Sequence, residues 1–149
     1  MTTPLGSMHH VGIVVRDLEQ AEAFVTGVVG LPVVNRLSSE ALGVSMVFLD
    51  CGPTLVELIQ FADPQIVQSR LGDRVAAIDH IALEVADLEH VKRTLAGHGV
   101  ETVQPVPSTT PLGRFHFTRP DTSAGIIWQL LELAGGTPAG QDATLPEVV

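Results

Sequence analysis

Apolar and polar residues alternate over residues 9–15, with Val11, Ile13 and Val15 on one side and His10, Gly12 and Val14 on the other, which predicts a strand. Asp17 then offers a helix N-cap with Gln20 three residues on, and an Ala/Glu/Phe/Val pattern predicts a helix to about Val29, stopped by Gly30-Leu31-Pro32. Three further strands are predicted near 33–36, 43–49 and 55–60, the last two joined by the turn formers Asp50-Cys51-Gly52-Pro53. The plan then restarts: a strand over 80–85, an Asp87-capped helix to about Gly97, and a short strand near 101–104. A closing hairpin follows, with strands at 114–118 and 126–133. Residues 64–76 read as a connecting helix, and 135–149, rich in Gly, Pro and small polar residues, as a loose tail.

The order β-α-β-β-β therefore occurs twice, and the residues repeat with it. Residues 10–19 read HVGIVVRDLE and residues 80–89 read HIALEVADLE, with identities at His10/His80, Val15/Val85, Asp17/Asp87, Leu18/Leu88 and Glu19/Glu89. A half-length repeat implies two like modules related by a pseudo-two-fold axis. The expected fold class is α+β: two pseudo-symmetric βαβββ modules forming a curved, half-open barrel-like sheet with the helices outside. The expected organisation is one domain over 1–134, made of module one at 8–62, a connecting helix at 63–77 and module two at 78–134, followed by a flexible tail at 135–149.

Composition narrows the function classes. At 149 residues and 45% hydrophobic content, the chain can bury a real core. A net charge of −9 with eight Lys and Arg, none clustered, argues against a nucleic-acid partner. Apolar runs stay far below the ~20 residues of a membrane span, and the first residues lack the basic start and apolar stretch of a signal peptide. The single Cys51 excludes an intrachain disulfide and agrees with a cytoplasmic protein.

The repeat also pairs candidate ligands. Each module opens on a histidine, His10 or His80, followed two positions on by a small residue, Gly12 or Ala82. Residues 55–59 (LVELI) correspond to 127–131 (IWQLL), so Glu57 and Gln129 are equivalent polar residues embedded in apolar strands. Taken singly, each reads as an ordinary strand residue: a core histidine, an exposed glutamate, a hydrogen-bonded glutamine. As matched pairs, two imidazoles, a carboxylate and an amide oxygen form a donor set for one divalent cation (Co, Ni, Mn, Fe or Zn) with positions left for substrate or water. His9, His90 and His98 are expected to face solvent, Glu84 shares the strand face of His80, and Trp128 points away from Gln129.

With these residues in place, residues 8–133 resemble the vicinal oxygen chelate superfamily, which includes glyoxalase I, extradiol dioxygenases and the fosfomycin and bleomycin resistance proteins. The stretch at 114–130, RFHFTRPDTSAGIIWQL with its long Pro-x-x-x-x-Gly turn, is most similar to the methylmalonyl-CoA epimerase branch. The resemblance implies His10, Glu57, His80 and Gln129 as metal ligands and α-proton transfer on a small carbonyl or acyl-CoA substrate through a metal-stabilised enolate. It also implies a homodimer. A glyoxalase-type lyase or isomerase is the alternative within enzymes. A resistance-type protein that sequesters a small molecule without chemistry is the alternative outside them.

The chain departs from the epimerase pattern in its acids. The family carries Gln at the second ligand position and Glu at the fourth; here the two are exchanged. The family's other catalytic glutamate falls at Met46. Aligning 43–48 (GVSMVF) with 113–118 (GRFHFT) matches Met46 to His116, whose reference pKa near 6.5 suits proton transfer. Glu57 and His116 are therefore the expected proton-transfer pair.

Overall fold

The computed structural model describes residues 5–135, which divide into two compact units, one of residues 10–79 and one of residues 5–9 with 80–135. The predicted tail at 135–149 lies, apart from Gly135, outside the described residues.

In the first unit, β1 (Leu5–Val15), β2 (Val33–Ser39), β3 (Val44–Cys51) and β4 (Thr54–Phe61) are ordered β2-β3-β4-β1, with β1 parallel to β4 and the other pairs antiparallel. Helix α1 (Leu18–Phe24) starts at Asp17, whose carboxylate accepts from Gln20 N at 2.9 Å. The α-helix is shorter than its sequence pattern predicts. Thr26 Oγ1 donates to the Glu22 carbonyl, and the chain widens into a π-helical turn at Val25–Val29 before Gly30 closes it with φ 87°. One sheet face buries Val15, Val47, Leu49 and Leu58 against Leu18, Ala21 and Val25. On the opposite face Val14 and Ile59 pack under Val67 and Leu71 of α2 (Pro64–Leu71).

The second unit repeats the plan with β5 (Ala76–Val85), α3 (Leu88–Ala96), β6 (Ser108–Thr110), β7 (Gly113–Phe117) and β8 (Trp128–Leu133), ordered β5-β8-β7-β6. β5 runs parallel to β8, and the hairpin pairs are antiparallel. Asp87 caps α3 by accepting from His90 N, and Val85, Leu88, Val91 and Leu130 form the core beneath it. The helix starts are anchored alike in the two units: Leu18 N donates to Gln60 Oε1 at 2.6 Å, and Leu88 N donates to Glu132 Oε2 at 2.9 Å. The strand predicted at 101–104 is reduced to a single bridge, Thr102 to Thr118, and the third strand of this unit lies at Ser108–Thr110 instead. Pro105 and Pro107 explain the shift, because neither can donate to a ladder.

Candidate functional site

The parallel pair β1–β4 sets the first half of the site. Its register puts Gly12 beside Glu57, so His10, one period back along β1, shares that face. His10 Nε2 lies 3.1 Å from Glu57 Oε2, and the two residues are 1% and 5% exposed. Gly12 adds no side chain between them. Phe48 sits across β3–β4 from Glu57 and packs edge-on to the His10 imidazole, with ring centroids 5.5 Å apart at 85°.

The second unit builds the same arrangement in the same register. Ala82 stands beside Gln129, so His80, one period back along β5, shares its face. Phe117 sits across from Gln129 and packs edge-on to His80, at 5.1 Å and 74°. His80 and Gln129 are both buried, and Gln129 Oε1 has no hydrogen-bond partner among the described residues. An acceptor kept dry and unpaired costs about 1–3 kcal/mol, so its environment fits a cationic partner. His10, Glu57 and His80 each offer a ligand atom of metal-binding type, and all three are buried. The phenylalanines were not singled out from the sequence. Their signal is that Phe48 and Phe117 hold matched places opposite the second ligand position of each unit.

His116 is a correction. Its cross-strand partner is Leu130, which belongs to the core under α3, so its side chain lies on the face opposite Gln129 and His80. The residue matched to Met46 is Phe115: Met46 pairs with Ile59, two beyond Glu57, and Phe115 pairs with Leu131, two beyond Gln129. His116 is 2% exposed and its Nε2 has no hydrogen-bond partner among the described residues. Burial pushes its pKa below the usual histidine value, the positive charges of Lys92 and Arg114 push the same way, and Glu89 opposes them. The imidazole expected from the sequence as a base therefore lies on the helix side of the sheet, away from the face that carries His80 and Gln129.

The other expectations divide. His90 and His98 are exposed, but His9 is 4% exposed, a buried residue of β1. Trp128 lies on the α3 side, where it helps line a cavity of about 360 Å³ with Leu83, Leu95 and Leu130. Glu84 does share the face of His80 and is partly buried, and burial holds its carboxyl above the ordinary carboxylate range. Among the described residues no helix is long and apolar enough to cross a membrane.

Two βαβββ units, each presenting a buried histidine beside a glutamate or glutamine, define a class. A model of the Glyoxalase/Bleomycin resistance protein/Dioxygenase superfamily matches residues 9–117, and the chain belongs to that superfamily. It is 28% identical over 131 residues to the mitochondrial methylmalonyl-CoA epimerase of Dictyostelium discoideum, covering 86% of this chain and 79% of that one. It is 32% identical over 115 residues to the uncharacterized protein YwkD of Bacillus subtilis, covering 76% and 87%. The crystal structure of methylmalonyl-CoA epimerase from Mycobacterium tuberculosis shares the fold with a TM-score of 0.81 at 25% identity, over 90% of this chain and 92% of that one.

Proposed function

We propose that this protein is a metal-dependent isomerase that moves a proton at the carbon next to the carbonyl of a small acyl-CoA or carbonyl substrate, as methylmalonyl-CoA epimerase does. The observation that carries this reading is the buried His10–Glu57 pair at 3.1 Å, echoed in the same register by His80 and Gln129. His10, Glu57, His80 and Gln129 would hold one divalent cation, with two imidazole nitrogens, one carboxylate and one amide oxygen as donors. When bound, such an ion acts as a Lewis acid toward the substrate's carbonyl oxygen. Glu57 is the carboxylate of the set and the group that accepts the α-proton. Phe48 and Phe117 wall their histidines with apolar rings, which keeps water from the imidazoles and strengthens electrostatic interactions beside them.

Binding without turnover is the second reading, favoured by one observation: Met46 and Phe115 occupy matched positions, and neither can carry a proton. Solvent-deuterium wash-in at the α-carbon of methylmalonyl-CoA separates the two. The isomerase reading expects wash-in that needs added Co²⁺ and falls about 10²–10⁴-fold in Glu57→Gln. A wild-type protein that binds Co²⁺ yet exchanges no deuterium would favour sequestration. Failure of both His10→Ala and His80→Ala to weaken Co²⁺ binding would refute the metal site.

A further inference from the structure

The two units carry the same ladder, so each is a control on how the other fills its helix side. In the first unit Val33 pairs with Leu49, Leu49 pairs with Val56, and Asp50 N donates to the Pro32 carbonyl. In the second, Thr102 bridges to Thr118, Thr118 N donates to the Trp128 carbonyl, and Arg119 N donates to the Glu101 carbonyl. Register therefore matches Thr102 to Val33, Thr118 to Leu49 and Trp128 to Val56. Leu49 is wholly buried, and Val33 and Val56 pack with it in the core under α1. Two threonines thus stand where the first unit places a valine and a leucine.

Beside them lies the cavity of about 360 Å³. Trp128, Leu130 and Leu83 line it from the sheet, Leu95 and Val100 from the end of α3, and Thr118 shares the lining. The turn before β8 completes the wall with Thr122, Ser123 and Ala124, and Ala124 takes φ 59°. Left-handed backbone at a residue other than glycine is strained, and strain of this kind is characteristic of ligand clamps. Among the described residues no charged side chain lines the cavity. Its hydroxyls are engaged with the protein. Thr118 Oγ1 accepts from Trp128 N and lies 3.0 Å from Ser123 Oγ, Ser123 donates to the Ile126 carbonyl, and Thr122 donates to the Arg119 carbonyl. Water finds few partners in such a space, and a charged group finds none.

We propose that this cavity is a second ligand site, for an uncharged aromatic molecule of one or two rings, on the side of β8 opposite Gln129. The proposal is independent of the isomerase reading. An apolar cavity of about 150 Å³ holds one benzene ring, and a volume of 360 Å³ leaves room for a second. Trp128 offers an indole for edge or offset stacking. With every hydroxyl of the wall engaged, burial of carbon is the source of affinity, and lack of charge selects the ligand. The phosphates of an acyl-CoA would meet no cation here, which separates this ligand class from the substrate proposed above.

Trp128 is the single tryptophan of the chain, so tryptophan emission reports on this cavity. The probe is bromobenzene, uncharged and a contact quencher through its heavy atom, titrated into the full chain. Saturable quenching is expected, with 4-bromobenzoate binding at least about tenfold more weakly because its carboxylate would be left unpaired. Thr118→Leu, which places there the residue of the first unit, and Val100→Phe should each fill the space and weaken bromobenzene binding at least about tenfold, with the fold intact by circular dichroism. Quenching that stays linear in bromobenzene, or affinity unchanged in both variants, would overturn the site, and equal binding of 4-bromobenzoate would overturn the ligand class. Crystals of the wild type soaked in bromobenzene test the site without any substitution. A bromine peak in contact with Trp128 is expected, and its absence there would overturn the proposal.

Discussion

Replacing His116 by leucine separates the role expected from the sequence from the one its position allows. The side chain is 2% exposed, pairs across β7–β8 with Leu130, and keeps an Nε2 without a hydrogen-bond partner among the described residues. Leucine is similar in size and has no polar atom, so the substitution removes an unsatisfied group worth about 1–3 kcal/mol without opening a large cavity. For a chain of 149 residues a gain of about 2 kcal/mol corresponds to a Tm rise of roughly 4–8 °C. The gain should depend on pH. Burial, with help from Lys92 and Arg114, holds the folded-state pKa of His116 below the ordinary value near 6.5. The unfolded chain therefore binds this proton first, and the wild type loses stability as pH falls from 6.5 through the folded-state pKa. The leucine variant lacks that loss. Urea melts at pH 7.5 and 5.5 should show the variant more stable at both, by a wider margin at pH 5.5, with α-proton wash-in unchanged. A variant less stable at both pH values would refute the packing reasoning. A hundredfold loss of wash-in with fold and Co²⁺ affinity intact would return His116 to the chemistry.

Two further substitutions probe the scaffold. Gly113 has φ 152°, and a Cβ there would fall 2.1 Å from the Glu132 carbonyl oxygen and 3.0 Å from Ala134 N, so Gly113→Ala should cost more than about 3 kcal/mol, read as a lower thermal midpoint or loss of soluble protein. Phe48→Leu and Phe117→Leu each remove an edge contact to a proposed ligand histidine and should weaken Co²⁺ binding about tenfold by calorimetry; unchanged affinity in both would show that the rings are packing alone.

Period-two alternation and the two aspartate caps were enough to read both βαβββ units, because each element carries its own local signal. Glu57 and Gln129 were legible for the same reason, as polar residues inside apolar strands. His116 was misread because registration between hairpins is not local. Aligning the units from Gly43 and Gly113 ignores their turns: Phe48 is nine residues before its partner Glu57, whereas Phe117 is twelve before Gln129. A slip of one residue moves every side chain to the other face. The π-helical end of α1 and the burial of His9 were hidden likewise, since the first depends on Thr26 bonding back to Glu22 and the second on tertiary covering.

The shared register of the two units bears on how such a chain can change over generations. Glu57 has its counterpart in Gln129, and three residues along each strand Gln60 has its counterpart in Glu132. Acid and amide are thus exchanged in opposite senses at successive pairs. At the second pair the substitution is nearly silent, because accepting a hydrogen bond from Leu18 N or Leu88 N asks only for an sp² oxygen, and both side chains provide one. A duplicated ladder offers the same freedom at the first pair. A glutamate can arise in one half before its twin in the other is lost, so an acid can migrate between halves through an ancestor that holds two and never through one that holds none.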